Sequence, residues 1–141
     1  MAEEGQELEV SEAFIIESVK QAMSNAGLSA WPVEPEPYAG ALPAVTYQYV
    51  GGIDEEPSDS GDILMTIGRW RVIARNVGKT IGVTRLAARA IHAALHRVKG
   101  SNDYGDVYWS RRERPVRMAF APGTETEIIH GGDYVISVKG T

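Results

Sequence analysis

Cysteine is absent from the 141 residues of this chain. That absence excludes disulfide bonds, thiolate metal sites and cysteine nucleophiles. Long apolar runs are missing too, since no stretch approaches the ~20 apolar residues of a membrane-spanning helix. The first twelve residues contain five glutamates and no base, so the basic start of a secretory signal is lacking. These features are compatible with a globular protein in a reducing cytoplasm.

Basic residues are scarce in the first part of the chain. Residues 1–62 contain thirteen acidic side chains and one base, Lys20, whereas residues 63–141 contain thirteen bases and six acids. The two segments therefore carry −12 and +7, which together give the net charge of −5. Overall acidity argues against a dedicated nucleic-acid-binding domain, because such domains are usually basic throughout. The split is compatible with two oppositely charged surfaces.

The N-terminal part of the chain predicts a helix followed by an extended segment. Ser11 can cap a helix, and an apolar stripe at helical spacing begins at Ile15. Gly27 suits the position just after a helix end. We therefore predict the first helix over residues 12–26. Residues 30–43 contain four prolines and predict an extended connector, because proline removes backbone donors and blocks helix formation.

Two strands follow the connector. β-Branched and aromatic residues predict strands over 44–50 and 63–75. We expect them to pair as a hairpin around a loop of twelve residues, 51–62, which holds five acids and no base. Hairpin loops usually have about 2–5 residues, so this one is unusually long. Both strands carry apolar groups on two faces and helices can cover only one, so we expect subunit contact to cover the other.

The second half of the chain predicts a helix and two further strands. The helix spans residues 80–98 and ends at Gly100. The strands span 106–112 and 134–139, and residues 127–129 add one or two further strand residues. Six apolar side chains form one arc of the helix: Val83, Ala87, Ala90, Ile91, Ala94 and Val98. Its opposite arc is basic: Arg85, Arg89, His92, His96 and Lys99.

The element order α-β-β-α-β-β favours an α+β fold. The simplest arrangement is an antiparallel or mixed sheet of four to five strands with the two main helices packed on one face. Residues 1–10 are acidic and lack a useful periodicity, so they predict a mobile tail. Residues 11–141 then form a single domain, as expected for a chain of this length.

No motif in the chain predicts an active site. Residues 73–80 end in Gly-Lys-Thr between a strand and a helix, but Ile73 stands where a phosphate-binding loop requires glycine. His92 and His96 lie one helical turn apart, yet the arginines and lysine on the same arc would repel a zinc ion. His130 is a third ligand candidate without further support. We expect no catalytic, cofactor-binding or metal-binding residues.

Several segments together resemble the tail-terminator (tail-completion, tail-to-head joining) proteins of lambda-like long-tailed phages. They are the helix SEAFIIESVKQAM, the proline-led strand LPAVTYQYVGG, an acidic loop with the strand DILMTIGRWRVIARN, the alanine-rich helix TRLAARAIHAALHRV and two late strands. The resemblance covers about residues 11–139, and its motifs are structural. The proline-rich segment 32–43 and the insertion-like region 111–130 depart from the family pattern.

The resemblance implies a non-enzymatic structural protein of the virion without cofactors. Such a protein forms a ring, typically a hexamer, that caps the completed tail tube, ends its polymerisation and joins the tail to the head–neck connector. Its partners would be other copies of itself, the tail tube protein and the connector, with DNA passing through the ring lumen without specific binding. It would be found in the virion tail or neck, and in the host cytoplasm during assembly, with no membrane partner.

Oppositely charged surfaces suit neighbour-to-neighbour contacts in such a ring. We expect subunit or tube contacts to involve the acidic loop together with residues of the second strand and second helix: Asp54, Glu55, Glu56, Asp59, Asp62, Arg69, Trp70, Arg71, Arg75, Arg85 and Arg89.

Three other functions remain open at this point. One is another neck or minor tail protein of the same fold. The second is a nucleic-acid-binding α+β module, in which Arg69 and Arg71 act with Tyr47 or Tyr49 on an exposed sheet face, because aromatic side chains on strands can stack on bases. The third is a zinc or small-molecule enzyme centred on the three histidines.

Overall fold

The computed structural model describes residues 2–57, 63–77, 82–120 and 127–139. It contains two helices and six strands in these residues. In chain order they are α1 (Ala2–Asn25), β1 (Val33–Pro35), β2 (Ala44–Pro57), β3 (Ile63–Val77), α2 (Gly82–Leu95), β4 (Val98–Asn102), β5 (Gly105–Phe120) and β6 (Glu127–Lys139).

The six strands form one sheet in the order β1-β2-β3-β6-β5-β4. β1 runs parallel to β2, and the other neighbouring pairs are antiparallel. Because it contains one parallel pair, the sheet is mixed, and it is also curled. The prediction of four or five strands in the order α-β-β-α-β-β is wrong. The two strands missing from that prediction, β1 and β4, are short and lie at the two edges of the sheet, where short strands are common.

Helix α1 begins at Ala2 rather than at residue 12. Its first turns are anchored because Leu8 packs against the core, and Val10 and Ser11 are buried. The side-chain amide of Asn102 also donates a hydrogen bond of 3.0 Å to the Val10 carbonyl. Residues 2–10 therefore belong to the helix, and Ser11 is an interior helix residue and not an N-cap.

The end of α1 agrees with the sequence. Gly27 adopts a left-handed conformation with φ 78°. The Leu28 N–H donates to the Met23 carbonyl over 2.7 Å, and the Gly27 N–H donates to the Ser24 carbonyl over 3.1 Å. These two bonds form a Schellman motif, which satisfies carbonyls that the helix end would otherwise leave unpaired.

The proline-rich connector contains strand β1. The Val45 N–H donates to the Pro32 carbonyl over 2.8 Å, and the Glu36 N–H donates to the Tyr47 carbonyl over 2.9 Å. Proline cannot donate to a ladder, and it is therefore confined to sheet edges and strand ends. Val33–Pro35 fulfils this condition by pairing along one side only, with β2.

The predicted hairpin is present, but the loop prediction is wrong. β2 continues through Gly51 and Gly52 to Pro57, which pairs with Ile63 of β3. Register shifts between Tyr49 and Gly51 and again beyond Gly52 interrupt the alternation of side chains along β2. Such bulges insert an extra residue on one strand. The bulges break the alternation of residues that marks a strand in a sequence, so the sequence does not predict the second half of β2.

Helix α2 is shorter than predicted. It ends at Leu95, where the Ser110 hydroxyl of β5 donates to the Leu95 carbonyl over 2.7 Å. Arg97 then takes a left-handed conformation with φ 58°, and its N–H donates to the Ser110 carbonyl over 2.7 Å. The chain thereby turns into β4, so Gly100 is a strand residue and does not stop the helix.

The buried stripe of α2 is also displaced from the predicted one. Val83, predicted to face the core, is 43% exposed, and Val98 lies in β4 and not in the helix. Because the helix ends early, Leu95 takes the last core position. The buried residues of α2 are Thr84, Ala87, Ile91 and Leu95.

Both helices contribute to one hydrophobic cluster with the same face of the sheet. Trp70 and Val72 of β3 lie in this cluster with Tyr134 and Ile136 of β6. Side chains alternate between faces along a strand, so Arg69, Arg71, Ile73 and Arg75 of β3 project to the opposite face. There, Ile73 packs in a small separate cluster with Val116 and Ile129. We call this the helix-free face.

Candidate interaction surfaces

The arginines of β3 on the helix-free face are paired with carboxylates. Arg69 Nη2 donates to Glu113 Oε2 over 2.9 Å. Arg71 Nε lies 2.9 Å from Asp133 Oδ1. The register explains the second pair, because Arg71 and Asp133 are directly opposed on β3 and β6. Positive charge on this face is therefore largely neutralised within the protomer.

Asp133 is the most buried charged group of the helix-free face, with none of its side chain exposed. It accepts hydrogen bonds from Arg71 and from Arg114, whose Nε lies 2.6 Å from Asp133 Oδ2. Burial would raise the pKa of this carboxyl, but the bonds from Arg71 and Arg114 outweigh burial and hold the pKa below its ordinary value. The carboxylate therefore stays ionised, held between two guanidinium groups.

Acid is expected to remove the stability that Asp133 contributes. Its folded-state pKa lies below the ordinary value of 3.8, so the contribution is present above that value and is lost as the pH falls through the folded-state pKa. We expect the difference in free energy of unfolding between the wild type and Asp133→Asn to shrink between about pH 5 and 2. Urea denaturation over a pH series measures it, and a difference that stays constant would contradict the assignment.

Arg75 joins three segments of the chain. Its Nε lies 2.7 Å from Glu127 Oε1, and its Nη1 lies 3.1 Å from Glu36 Oε1 and donates to the Tyr38 carbonyl. It lines a cleft of about 380 Å³ between β2, β3, β6 and the proline-rich connector. Because its Nε and Nη1 donors bind Glu127, Glu36 and the Tyr38 carbonyl, Arg75 holds the connector against the sheet, which is a structural role.

The residues proposed for stacking on bases do not share a surface. Trp70 is 4% exposed, and Tyr47 is equally buried on the helix-covered face. Tyr49, which is 38% exposed, sits edge-on to Trp70 with ring centroids 5.2 Å apart. Arg69 and Arg71 lie on the opposite face and are paired. The nucleic-acid site drawn from these residues is therefore not assembled.

A second positive surface lies on the other side of the sheet, in a concavity of about 380 Å³ between α2, β5 and the start of β6. Arg85 and Arg89 of α2 line it with Arg112 and Arg117 of β5, and none of the described residues that line it is acidic. Among the residues that the structure describes, none of these four arginines forms an ion pair. We call this concavity the basic pocket.

Two histidines also line the basic pocket. His92 stacks on His96, with ring centroids 4.4 Å apart, and His130 lies across the pocket. Burial lowers the pKa of His130, and the charges of Arg85 and Arg117 lower it further. Burial likewise lowers the pKa of His92, followed by the charges of Arg112 and His96.

The three histidines do not form a metal site. His96 Nδ1 is occupied, since it accepts a 3.0 Å hydrogen bond from the Arg112 N–H. Within the described ranges, no group of three or more His, Cys, Asp or Glu side chains is placed to hold a metal ion. The positive surroundings that lower the histidine pKa values would also repel a divalent cation.

The acidic residues of the predicted loop divide into two groups. Asp54, Glu55 and Glu56 are strand residues of β2, opposite β3 residues 65–67. Asp59 and Asp62 lie outside the described residues. Among the described residues, no helix is long and apolar enough to cross a membrane.

The sequence predicted only two of the four arginines that line the basic pocket. Arg85 and Arg89 follow from the helical wheel of α2. Arg112 and Arg117 are five residues apart, which on a regular strand would place them on opposite faces. A register shift between Arg112 and Arg114 inserts one residue and returns them to the same face. No local signal in the sequence marks that bulge.

No protein-family model matches this chain, and no curated protein matches it. Among solved structures, it is similar to a chain from the "Virion of native gene transfer agent (GTA) particle". The two share 14% sequence identity and superpose with a TM-score of 0.58, covering 86% of this chain and 92% of that chain. At this identity the similarity establishes a shared fold over nearly the whole length of both chains.

Proposed function

We propose that this chain is a structural virion protein that forms a ring, caps a tail tube and joins the tail to the head–neck connector. The observation that carries the proposal is the shared fold with a chain of a gene transfer agent virion over 86% of this chain. The tail-terminator resemblance of residues 11–139 supports the same class of protein. The finer role as a tail terminator rests on that resemblance.

The surfaces of the protomer suit assembly more than catalysis. Its described histidines are crowded by arginines, and its most buried carboxylate is held by two guanidinium groups. A closed ring needs two different surfaces that meet by rotation, and oppositely charged patches favour such contacts. We infer a non-enzymatic role, with copies of this chain, a tail tube protein and a connector protein as its partners.

The candidate contact residues separate into two sets. Arg69, Arg71 and Arg75 are paired within the protomer, and Trp70 is buried, so they stabilise the subunit. Arg85 and Arg89 of α2 form no ion pair among the described residues. We infer that they make contacts with other subunits, and that their counterparts are the acids of segment 51–62: Asp54, Glu55, Glu56, Asp59 and Asp62.

Imaging and mass measurement test this proposal. The purified chain is examined by native mass spectrometry and negative-stain microscopy, alone and with a phage tail tube protein. We expect ring-shaped oligomers at the ends of tubes, and tubes that stop growing when the chain is added. Tubes mixed with bovine serum albumin serve as the control for unspecific blocking. A monomer that forms no rings even with tube protein would overturn the proposal.

A neck or minor tail protein with the same fold is the second candidate. It is supported by the same shared fold with a chain of a gene transfer agent virion, because that fold does not distinguish one position in a virion from another. The two functions differ in their partners. Binding to the connector without any effect on tube length would favour the neck protein, whereas blocked tube growth favours the terminator.

A further inference from the structure

We propose that the basic pocket binds the carboxylates of the acidic stretch of β2, Asp54 to Glu56, from a second copy of this chain. The contact would be head-to-tail, with the pocket of one protomer receiving the acidic stretch of its neighbour. This inference rests on the proposed assembly into a ring and names the residues that close it.

The pocket has the chemistry of a carboxylate site. Four guanidinium groups, from Arg85, Arg89, Arg112 and Arg117, line one concavity in which no residue of the described ranges is acidic. Each guanidinium presents donors in a planar fork that matches a carboxylate. Like charges held this close repel one another, so the surface is stabilised when an anion enters.

One further group in the pocket supports the same assignment. The Nδ1 atom of His92 is buried and has no hydrogen-bond partner among the described residues. A buried polar atom without a partner carries a desolvation cost that a ligand can remove. Because a carboxylate only accepts hydrogen bonds, His92 with its proton on Nδ1 would donate one hydrogen bond when the pocket is filled.

A protomer's own acidic stretch lies far from its own pocket. Glu55 pairs with Thr66 of β3, whereas the pocket residue Gly131 pairs with Ile73. Thr66 and Ile73 are seven positions apart along β3, a distance of about 23 Å at ~3.3 Å per residue. The acids and the pocket also belong to strands on different sides of β3. Contact between them is therefore intermolecular.

The geometry of that contact determines the kind of assembly. Two different patches on one protomer make a heterologous interface, which closes into a ring when the rotation between neighbours allows it.

The alternative anion for the basic pocket is a nucleic-acid phosphate. The acidic stretch is favoured because segment 51–62 holds five acids and no base, so this chain carries a ligand of matching charge.

Charge reversal at the two sites tests the pairing. The pocket variant is Arg85→Glu/Arg89→Glu, at two exposed positions, and the hairpin variant is Asp54→Lys/Glu55→Lys/Glu56→Lys. The pocket variant keeps Arg112 and Arg117, so its pocket becomes neutral and no longer attracts the acidic stretch, whereas the hairpin variant opposes two positive surfaces. We expect the self-association of each variant alone to weaken at least about tenfold. In an equimolar mixture, the unchanged pocket of the hairpin variant meets the unchanged acidic stretch of the pocket variant, so we expect mixed dimers to form. Sedimentation velocity measures both.

A control variant of equal charge change keeps this result specific. Lys20→Glu/Lys99→Glu changes the net charge by the same amount at two exposed positions outside the pocket, and we expect it to assemble as the wild type does. Thermal unfolding of all variants shows that they are folded. If the pocket variant still forms rings, or if the mixture forms no mixed dimers, the inference fails while the proposed function stands.

The absence of cysteine provides an independent test. Ala93→Cys places a thiol beside the pocket, and Pro57→Cys places one beside the acidic stretch. We expect a bismaleimide reagent to give dimers when the two single variants are mixed and few when either is alone. Fluorescently labelled DNA that binds the wild type but not the pocket variant, without loss of assembly, would overturn the inference. If the cross-linking and the charge variants show the pocket paired with the acidic stretch, yet the oligomers never bind tubes, the capping function fails and the inference stands.

Discussion

Replacing both Arg71 and Arg114 by methionine is expected to lower the free energy of unfolding by about 3–5 kcal/mol. The two substitutions leave the Asp133 carboxylate in a fully buried position without a cation. A buried charge without a partner keeps its desolvation penalty and loses the attraction that offsets it. The single variant Arg71→Met retains Arg114, so we expect a loss of about 1.5–3 kcal/mol. Urea denaturation at pH 7 measures both.

Arg69→Met is the matched control. Arg69 and Arg71 have equally exposed side chains, 33% each, and each bonds one carboxylate across the helix-free face. Their partners differ, because Glu113 is 36% exposed and Asp133 is not exposed at all. Since Glu113 regains water when Arg69 is removed, we expect a much smaller loss than for Arg71→Met. Equal losses would show that burial of the partner does not set the cost.

Adding Asp133→Asn to the double variant separates charge from packing. The amide is neutral and of nearly the same size, so the triple variant no longer buries an unpaired charge. We expect it to recover much of the stability that Arg71→Met/Arg114→Met loses. If the triple variant is as unstable as the double variant, the cost arises from lost contacts of the long arginine side chains.

These pairs explain why the positive surface was only partly predictable. Alternation along β3 correctly indicates that Arg69, Arg71 and Arg75 share one face. The carboxylates that neutralise them lie 39 to 62 residues away in the chain. Their approach depends on the pairing of β3 with β6 and of β6 with β5. A sequence pattern contains local periodicity but not this register, so free and paired arginines look alike in it.

The fold was predictable where segments are long and periodic, and not at the edges. The four long strands and both helices correspond to strong patterns. β1 consists of only three residues and ends in a proline. β4 has the sequence VKGSN, in which apolar and polar residues do not alternate. Both are held at the edges of the sheet by neighbouring strands. The early end of α2 likewise depends on Ser110, which reaches Leu95 from another strand.

The basic pocket was predictable only from its helix side. Arg85 and Arg89 share an arc of α2, as the helical wheel indicates. Arg117 and Arg112 join them because β5 packs beside β6 beneath α2, and because of the bulge near Arg114. Tertiary packing therefore turned a basic helix face, which is common on solvated surfaces, into a concave site.

Gly131→Ala is expected to destabilise the protein by about 1–3 kcal/mol or more. The sequence predicted the last strand over residues 134–139, but β6 begins at Glu127, so Gly131 lies inside it. A Cβ atom at position 131 would collide with the Val72 carbonyl oxygen and would lie 2.6 Å from Ile73 Cα. Both are backbone atoms of β3, so the clash can be relieved only by separating the two strands. Thermal or urea unfolding measures the loss.

Gly82→Ala provides the control for this substitution. Gly82 is the exposed first residue of α2, and a Cβ atom there would have no neighbour within 4 Å. Since alanine restricts the unfolded chain more than glycine does and favours helix, we expect Gly82→Ala to be neutral or to stabilise by up to about 1 kcal/mol. Opposite signs for the two variants would show that close approach of β3 and β6 requires glycine at position 131. If Gly131→Ala were as harmless as Gly82→Ala, the two strands could separate at little cost, and the wall of the basic pocket formed by Gly131 would not be rigid.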